Sequence, residues 1–453
     1  MWVFGKFYVS LQKNHKVNKY HAKMKSIPQY PYSQCPSVRI CLLLIMGIWT
    51  SWHIPHIFPS AYWLVAILAI IGGCICLRNK DAQSVLLHFM IFFMGIFLSS
   101  HQAEQEQKEY MTYSYEELST LDKTRINLGF IRENLSQKYL VHHIENQEYA
   151  IITAMTLGEK ETLDHHTKEV FASSGASHVL AISGLHIGIL FQIFILILGG
   201  SKKHILFTTP LTLTCIWLYV LLIGLPASAT RAALMASIFC FTLITKRDTP
   251  PMNSLALTAI IMLFINPNYL SDLSFQLSFL AVLAILLLFK PIYNCLPQCL
   301  STLRIARWAW AMLSVSIAAQ IGTAPLIAYT FGTVSCYSVL SSFIAIPATT
   351  LILYLCLVFF ALAVLPHTLF LQDIVASWLT HLTSLTQQTL AFVGNLPGVY
   401  LTDIKINTPQ LCLIYMAIVT GCLLIQRLHR YHLHRIRLDS ADYKDYTLQE
   451  YQM

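Results

Sequence analysis

Residues 272–290, DLSFQLSFLAVLAILLLFK, open on Asp272, Ser274 and Gln276, continue as an apolar run and close on Lys290. The run matches the roughly 20 helical residues that cross about 30 Å of hydrocarbon. In lipid each backbone N–H and C=O must be bonded within its own segment. The stretch therefore predicts a membrane-spanning α-helix that starts polar and ends on a cytoplasmic cation.

Working outward, runs of the same kind recur at 178–199, 206–224, 229–245, 253–268, 308–330, 334–365 and 410–426, with a weaker one at 374–394. Three more precede them, at 38–57, 61–77 and 85–99. Composition agrees, since 55% of the 453 residues are hydrophobic and 11% charged, where a soluble domain has about a quarter of its residues charged. The expected fold class is an all-α polytopic integral membrane protein, a bundle of roughly ten to twelve transmembrane helices. A small extracytoplasmic segment of mixed structure is expected to interrupt it. Cysteines such as Cys74, Cys76, Cys215, Cys240 and Cys356 lie inside apolar runs, without the paired spacing of a zinc site, and read as small apolar residues.

The net charge of +8 fits topology better than a nucleic-acid surface, because Lys and Arg gather at the ends of runs and in the tails. Residues 1–37 read as a basic cytoplasmic tail, too long and too polar for a cleavable signal peptide. Residues 38–100 hold the first spans, with Arg78 and Lys80 at a cytoplasmic turn. Over 101–171 charge rises and periodicity fails. There EYAIITAMT reads as a short strand and GEKETLDHHTKEVFASSG as an amphipathic interfacial helix on the outer face. Residues 172–426 form the main bundle, and 427–453 a second basic cytoplasmic tail. Lys202, Lys203, Lys246, Arg247, Lys290, Arg304 and Arg307 mark every second junction as cytoplasmic. Returning the tail to that side needs an even number of crossings after Arg307. Either a break in 334–365, at Pro347, or a full crossing at 374–394 supplies it.

Polar residues within the runs cluster on one side. His178, Ser183 and His186 open the run at 178–199, Thr230 and Arg231 the one at 229–245, and Asp272, Ser274 and Gln276 the one at 273–290. Ionisable groups at membrane depth are costly and face a bundle interior or a wet cavity, so the three openings predict a polar vestibule for a hydrophilic substrate. Gly175, Gly184 and Gly188 allow close helix approach or a helix break there. The plainer reading is helix packing, with Arg231 paired to Asp272. The functional reading brings the planar fork of Arg231 to passing phosphates. Gln320 and Thr323, followed by Pro325 and Gly332, mark a second pore element whose helix is expected to kink or end. Tyr329, Phe331 and Tyr337 read as an interfacial belt or as stacking faces for bases.

SHVLAISGLHIGIL (177–190), ATRAALMA (229–236), NPNYLSDLSFQLSFLAVLAIL (266–286) and AAQIGTAPLIAYTFGTVS (318–335) resemble, in order, the signature blocks of the ComEC family of competence proteins. The resemblance runs from about Ala154 to Pro347, and more loosely to residue 426. It implies an inner-membrane channel, with 172–426 as its competence domain, through which one DNA strand enters the cytoplasm during natural transformation. By motif match the substrate path would hold His178, Ser183, Gly184, His186, Arg231, Asp272, Gln276, Gln320 and Pro325. The implied partners are single-stranded DNA, membrane lipid, an extracytoplasmic DNA-receptor protein, a separate nuclease, a cytoplasmic DNA-translocating ATPase and a second copy of the chain.

No cofactor and no catalytic role follow from the resemblance. Long family members have a C-terminal metallo-β-lactamase-like domain. Here His432 and His434 lack the Asp-His half of such a metal cluster, so a short form without metal or nuclease is expected. The family's outer OB-like domain is expected in reduced form within 101–171. Two other readings are weighed: a small-molecule or lipid permease, and an intramembrane hydrolase using Ser183 as nucleophile and His186 as base, three residues apart on one helical face.

Overall fold

The apolar runs fold as helices, and the polar and Gly/Pro marks between them set most of the ends. The computed structural model describes residues 35–53, 60–76, 79–109, 120–198, 205–245, 250–295, 303–365 and 367–424. Expectations for residues 1–34, for Lys202, Lys203, Lys246 and Arg247, and for the 427–453 tail with His432 and His434 lie outside the described residues. The order is α1 (Pro36–His53), α2 (Ser60–Cys76), α3 (Lys80–Glu109), α4 (Thr120–Val141), α5 (Asn146–Thr156), α6 (His165–Ser173), the single turn α7 (Ser177–Leu180) and α8 (Gly184–Ile197). Then come α9 (Ile205–Leu222), α10 (Ala227–Ile244), α11 (Pro251–Ile265), a 3-10 turn (Pro267–Ser271), α12 (Leu273–Tyr293) and α13 (Arg304–Phe331). The chain continues through β1 (Val334–Ser335), α14 (Ser338–Val364), α15 (Leu369–Gly394), β2 (Tyr400–Leu401) and α16 (Thr408–Leu424). By length and composition α3, α12, α13 and α14 suffice to cross a membrane, and shorter apolar helices include α8, α9, α10, α11 and α16.

The chain forms two compact units, 1–279 with 340–396, and 280–339 with 397–453. In the first, α5 is the centre of a core: Ala150 through Thr156 are all buried, packed with Tyr139, Phe171, Ile352, Phe359 and Leu379. This corrects the expected strand at EYAIITAMT. Ile151, Ile152 and Thr153 favour strands in isolation, but a segment surrounded by apolar neighbours needs its backbone bonded internally. The Thr153 and Thr156 hydroxyls return to the carbonyls of Tyr149 at 2.8 Å and Ile152 at 2.6 Å. Among the described residues all of 101–171 that is regular is helical, so mixed structure and an OB-like strand set are corrected too. Helix α3 runs to Glu109, about ten residues past its apolar run. A second cluster joins α8, α9 and α10 through Ile187, Phe191, Ile216, Val220 and Ala233. A third joins α1, α3, α11 and the start of α12 through Leu44, Ile48, Met262 and Phe275.

The expected interfacial helix at 158–175 forms only from His165. Asp164 caps it, accepting from Thr167 N at 2.8 Å and from Gln147 Nε2 at 2.9 Å. Bonds from the Thr167 side chain and then its backbone hold the Asp164 carboxyl below its ordinary value. A depressed carboxylate pKa stabilises the fold above the unfolded value, near 3.9, and that contribution fades as pH falls through the folded value. We expect Asp164→Ala to cost about 1 kcal/mol at neutral pH, and the difference from the parent to shrink as pH falls through the lowered value of the folded carboxyl. Melting curves across pH in detergent check this, and a deficit that persists in acid would refute the cap.

In the second unit Gly322 of α13 sits against α12, where an added Cβ would lie 2.5 Å from Ala284 Cβ and 2.9 Å from Leu280 O. Tyr415 of α16 donates to Gly322 O at 3.0 Å. Gly332, at φ 66°, ends α13 in the left-handed conformation. Of the two residues expected to kink or end α13, Gly332 ends it, while the helix runs on past Pro325. β1 and β2 pair antiparallel, Val334 with Leu401 and Ser335 with Tyr400. Between them α14 and α15 form an out-and-back pair. Block 334–365 is thus a short strand followed by one helix through Pro347, not a broken segment, and Thr349 and Thr350 bond the Ala345 and Ile346 carbonyls beside that proline.

Candidate functional site

The block at 178–199 is interrupted where its glycines allow. Gly175, at φ 78°, turns the chain after α6. α7 lasts four residues, Ala181 and Ser183 are extended, and α8 starts at Gly184. Ser183 is the N-cap of α8 in a capping box: its Oγ accepts from Leu185 N at 3.3 Å, and His186 Nδ1 accepts from Ser183 N at 3.1 Å. Ser183 Oγ lies 2.9 Å from the same Nδ1. With Nδ1 accepting, the ring proton sits on Nε2, which is buried without a partner. The Ser183–His186 spacing read as nucleophile and base is therefore used to cap a helix. No carboxylate orients His186 among the described residues. His178, on the single turn α7, is exposed. The Gly175 carbonyl is beside its ring, and His186 is within electrostatic range.

The N-termini of α8, α10 and α12 meet through side chains. Ser228 Oγ donates to Ile182 O at 2.5 Å, and Gly184 approaches Ala232, leaving only 3.6 Å for a Cβ. Arg231, 2% exposed, is the largest fully buried side chain among the described residues. Its Nη2 donates to Ser274 O at 2.9 Å and Ser274 Oγ at 3.1 Å, while Nε and Nη1 are buried with no partner. The expected Arg231–Asp272 ion pair does not form. Asp272 instead caps α12, accepting from Ser274 N at 3.1 Å and Phe275 N at 3.3 Å. That cap places the carboxylate on backbone amides, which compete with the guanidinium for the same lone pairs. Gln276 Nε2 donates to Leu270 O at 2.8 Å and closes the 3-10 turn.

Seven of the nine predicted residues, His178, Ser183, Gly184, His186, Arg231, Asp272 and Gln276, thus fall in the first unit. Gln320 and Pro325 belong to the second, half-buried in α13. There Tyr329 OH lies 3.3 Å from Thr408 Oγ1 and Tyr337 OH donates to Pro397 O at 3.2 Å, so two of the three aromatic candidates have local structural partners. Sequence reasoning missed a set of polar contacts made by the end of α3. Glu104 accepts from Ser60 N at 2.6 Å and Oγ at 2.7 Å, and Glu106 from Asn268 Nδ2 at 2.7 Å. The Asn-Pro-Asn at 266–268 was the available signal, a turn dipeptide pattern beside a polar helix end.

Each helix N-terminus carries a partial positive charge; Ser183 caps α8 and the Asp272 carboxylate caps α12, so the donors left for a further anion here are Nε and Nη1 of the buried Arg231. No solved structure matches the chain. Among curated proteins, it is 29% identical over 63% of its length to ComE operon protein 3 of Bacillus subtilis, and 29% identical over 47% to an uncharacterized protein of Aquifex aeolicus. It is 25% identical over 45% of its length to Recombination protein 2 of Haemophilus influenzae. These matches cover 35%, 47% and 27% of the relatives' own lengths, so the chain spans less than half of each. The family model described as Competence protein matches residues 155–428, which takes in α8, α10, α12 and α13 with all nine predicted residues, and the chain belongs to that family.

Proposed function

We propose that the chain is a multi-pass channel of the bacterial inner membrane, with roughly ten to twelve crossings, that admits single-stranded DNA to the cytoplasm during natural transformation. The observation that carries this reading is the meeting of the α8, α10 and α12 N-termini at Arg231, whose Nε and Nη1 hold three N–H donors in reserve. A phosphodiester chain presents one negative charge per nucleotide, and fixed donors that lack partners meet each in turn without first breaking other bonds. Arg231 is shielded in the state described, so passage requires the α10 and α12 ends to part or the guanidinium to swing.

The out-and-back pair α14 and α15 supports the topology. If both cross, β2 returns to the side of β1, and α16 brings the chain to the side of Arg304 and Arg307, where a basic tail belongs; the α14–α15 turn then lies on that cytoplasmic side together with the α4 end, whose His142 bonds Asp373, and not on the outer face expected for 101–171. No catalytic step is assigned. An extracytoplasmic DNA receptor, a separate nuclease, a cytoplasmic translocating ATPase and self-association are proposed partners.

The test is deletion of the gene in its own host, with labelled DNA followed into a DNase-resistant cytoplasmic pool. Loss of internalisation with surface binding intact is the expected result. Uptake at the normal rate would sink the transport reading and leave the family likeness as one of fold.

A further inference from the structure

A cavity of about 390 Å³ opens where α4 ends and α14 turns into α15, away from the Arg231 region. Lys138, His142 and His367 contribute cationic or hydrogen-bonding groups to its wall, and Val141, Leu365 and Leu369 contribute apolar ones. Those three apolar side chains are 72%, 56% and 66% exposed. His142 Nδ1 lies 2.7 Å from Asp373 Oδ1, which leaves Nε2 as its remaining polar atom. The turn is held by Thr368 Oγ1, which donates to Leu362 O at 2.7 Å.

Two further features mark this place. His367 adopts φ 64°, a left-handed conformation that glycine holds without strain and a side-chain-bearing residue rarely adopts. Such outliers persist where the surroundings impose them, often at ligand sites. The cavity also sits at the end of α14, a 27-residue apolar helix. A cation beside the end of a membrane-spanning helix lies at headgroup level, and basic pockets between helices there suit anionic headgroups.

We infer that this cavity binds an anionic phospholipid, its phosphate on Lys138 and His367 and its acyl chains along Val141, Leu365 and Leu369. A soluble anion would leave the exposed apolar rim uncovered, and a neutral lipid would leave the lysine uncompensated. The inference rests on the reading of α14 as a membrane-spanning helix.

The full chain, reconstituted in phosphatidylcholine vesicles containing phosphatidylglycerol as a minor component, is re-extracted in mild detergent and its retained lipid measured by mass spectrometry. The parent is expected to be enriched in phosphatidylglycerol. Lys138→Gln is expected to lower the enrichment about five-fold, the worth of one cation near a headgroup, and His367→Gly, which removes a hydrogen-bonding ring from the cavity wall, to lower it by a smaller factor. Excess inorganic phosphate is expected to leave it unchanged. His367→Gly relieves the left-handed strain, so its loss of lipid is not a loss of fold. Retention in the vesicle proportions, equal retention by both variants, or displacement by inorganic phosphate would overturn the lipid site. Failure of the parent to enter neutral phosphatidylcholine vesicles would instead overturn the membrane reading.

Discussion

Arg231→Met is expected to leave the chain at least as stable as the parent while lowering DNA internalisation about 10- to 150-fold. The stability half follows from the partners. Burying a guanidinium costs several kcal/mol unless every N–H is bonded, and here Nε and Nη1 are not. Methionine fills much of the same volume, and replacing buried charge by apolar groups is often neutral or stabilising by about 1–4 kcal/mol. Ser274, which loses its donor, is exposed enough for water to replace it. The transport half follows from what is removed: a charged hydrogen bond is worth about 1.5–3 kcal/mol, which as a barrier is the fold-change above. Arg231→Lys keeps the charge without the planar fork and should fall between. The measurements are melting in detergent and uptake into the DNase-resistant pool. A Met variant that disappears from the membrane would make Arg231 structural, and one with normal uptake would remove it from the path.

Helices were legible where composition decides, because a long apolar run has few alternatives in lipid. Gly332 announced the end of α13, and Gly175 and Gly184 allowed a break before α8. The failures share a cause. EYAIITAMT has β-branched residues and no helical stripe, since α5 is buried on all sides and so has no polar face to reveal its period. The 101–109 end of α3 looked like a loop because charge replaced apolar residues, yet a helix can continue in water when its ends find partners, as Glu104 and Glu106 do. Pro325 and Pro347 were read as kinks or breaks because each removes a donor, yet both helices run on past them, as packing against neighbouring helices allows.

The site was legible as a set of polar residues but not as a set of bonds. Placing Ser183, Arg231 and Asp272 near one another needed only the side on which their helices begin. That Asp272 would cap α12 rather than pair with Arg231 depends on a competition between backbone amides and a guanidinium, which spacing does not decide. Nor does spacing show that His186 Nδ1 would close the cap of its own helix.

Gly95→Leu should cost about 3–5 kcal/mol of stability, because it forces α1 and α3 apart. Glycine inside a helix is unfavourable by about 1 kcal/mol against alanine, so its presence needs a reason. Here the reason is reciprocal close approach. A Cβ on Gly95 would stand 2.5 Å from Leu44 O and 3.1 Å from Gly47 Cα, and a Cβ on Gly47 would overlap Phe92 O. All of these are backbone atoms, so no rotamer change makes room. Separating the helices also opens the core around Leu44 and Ile48, both wholly buried, which adds cavity cost to overpacking. Gly72 of α2 is the control, since a Cβ there meets nothing within 4 Å; Gly72→Ala should be neutral or add up to about 1 kcal/mol through helix propensity. Thermal melts in detergent, with protease resistance as a second readout, compare the two. If Gly95→Leu melts with the parent, α1 and α3 do not pack through these glycines.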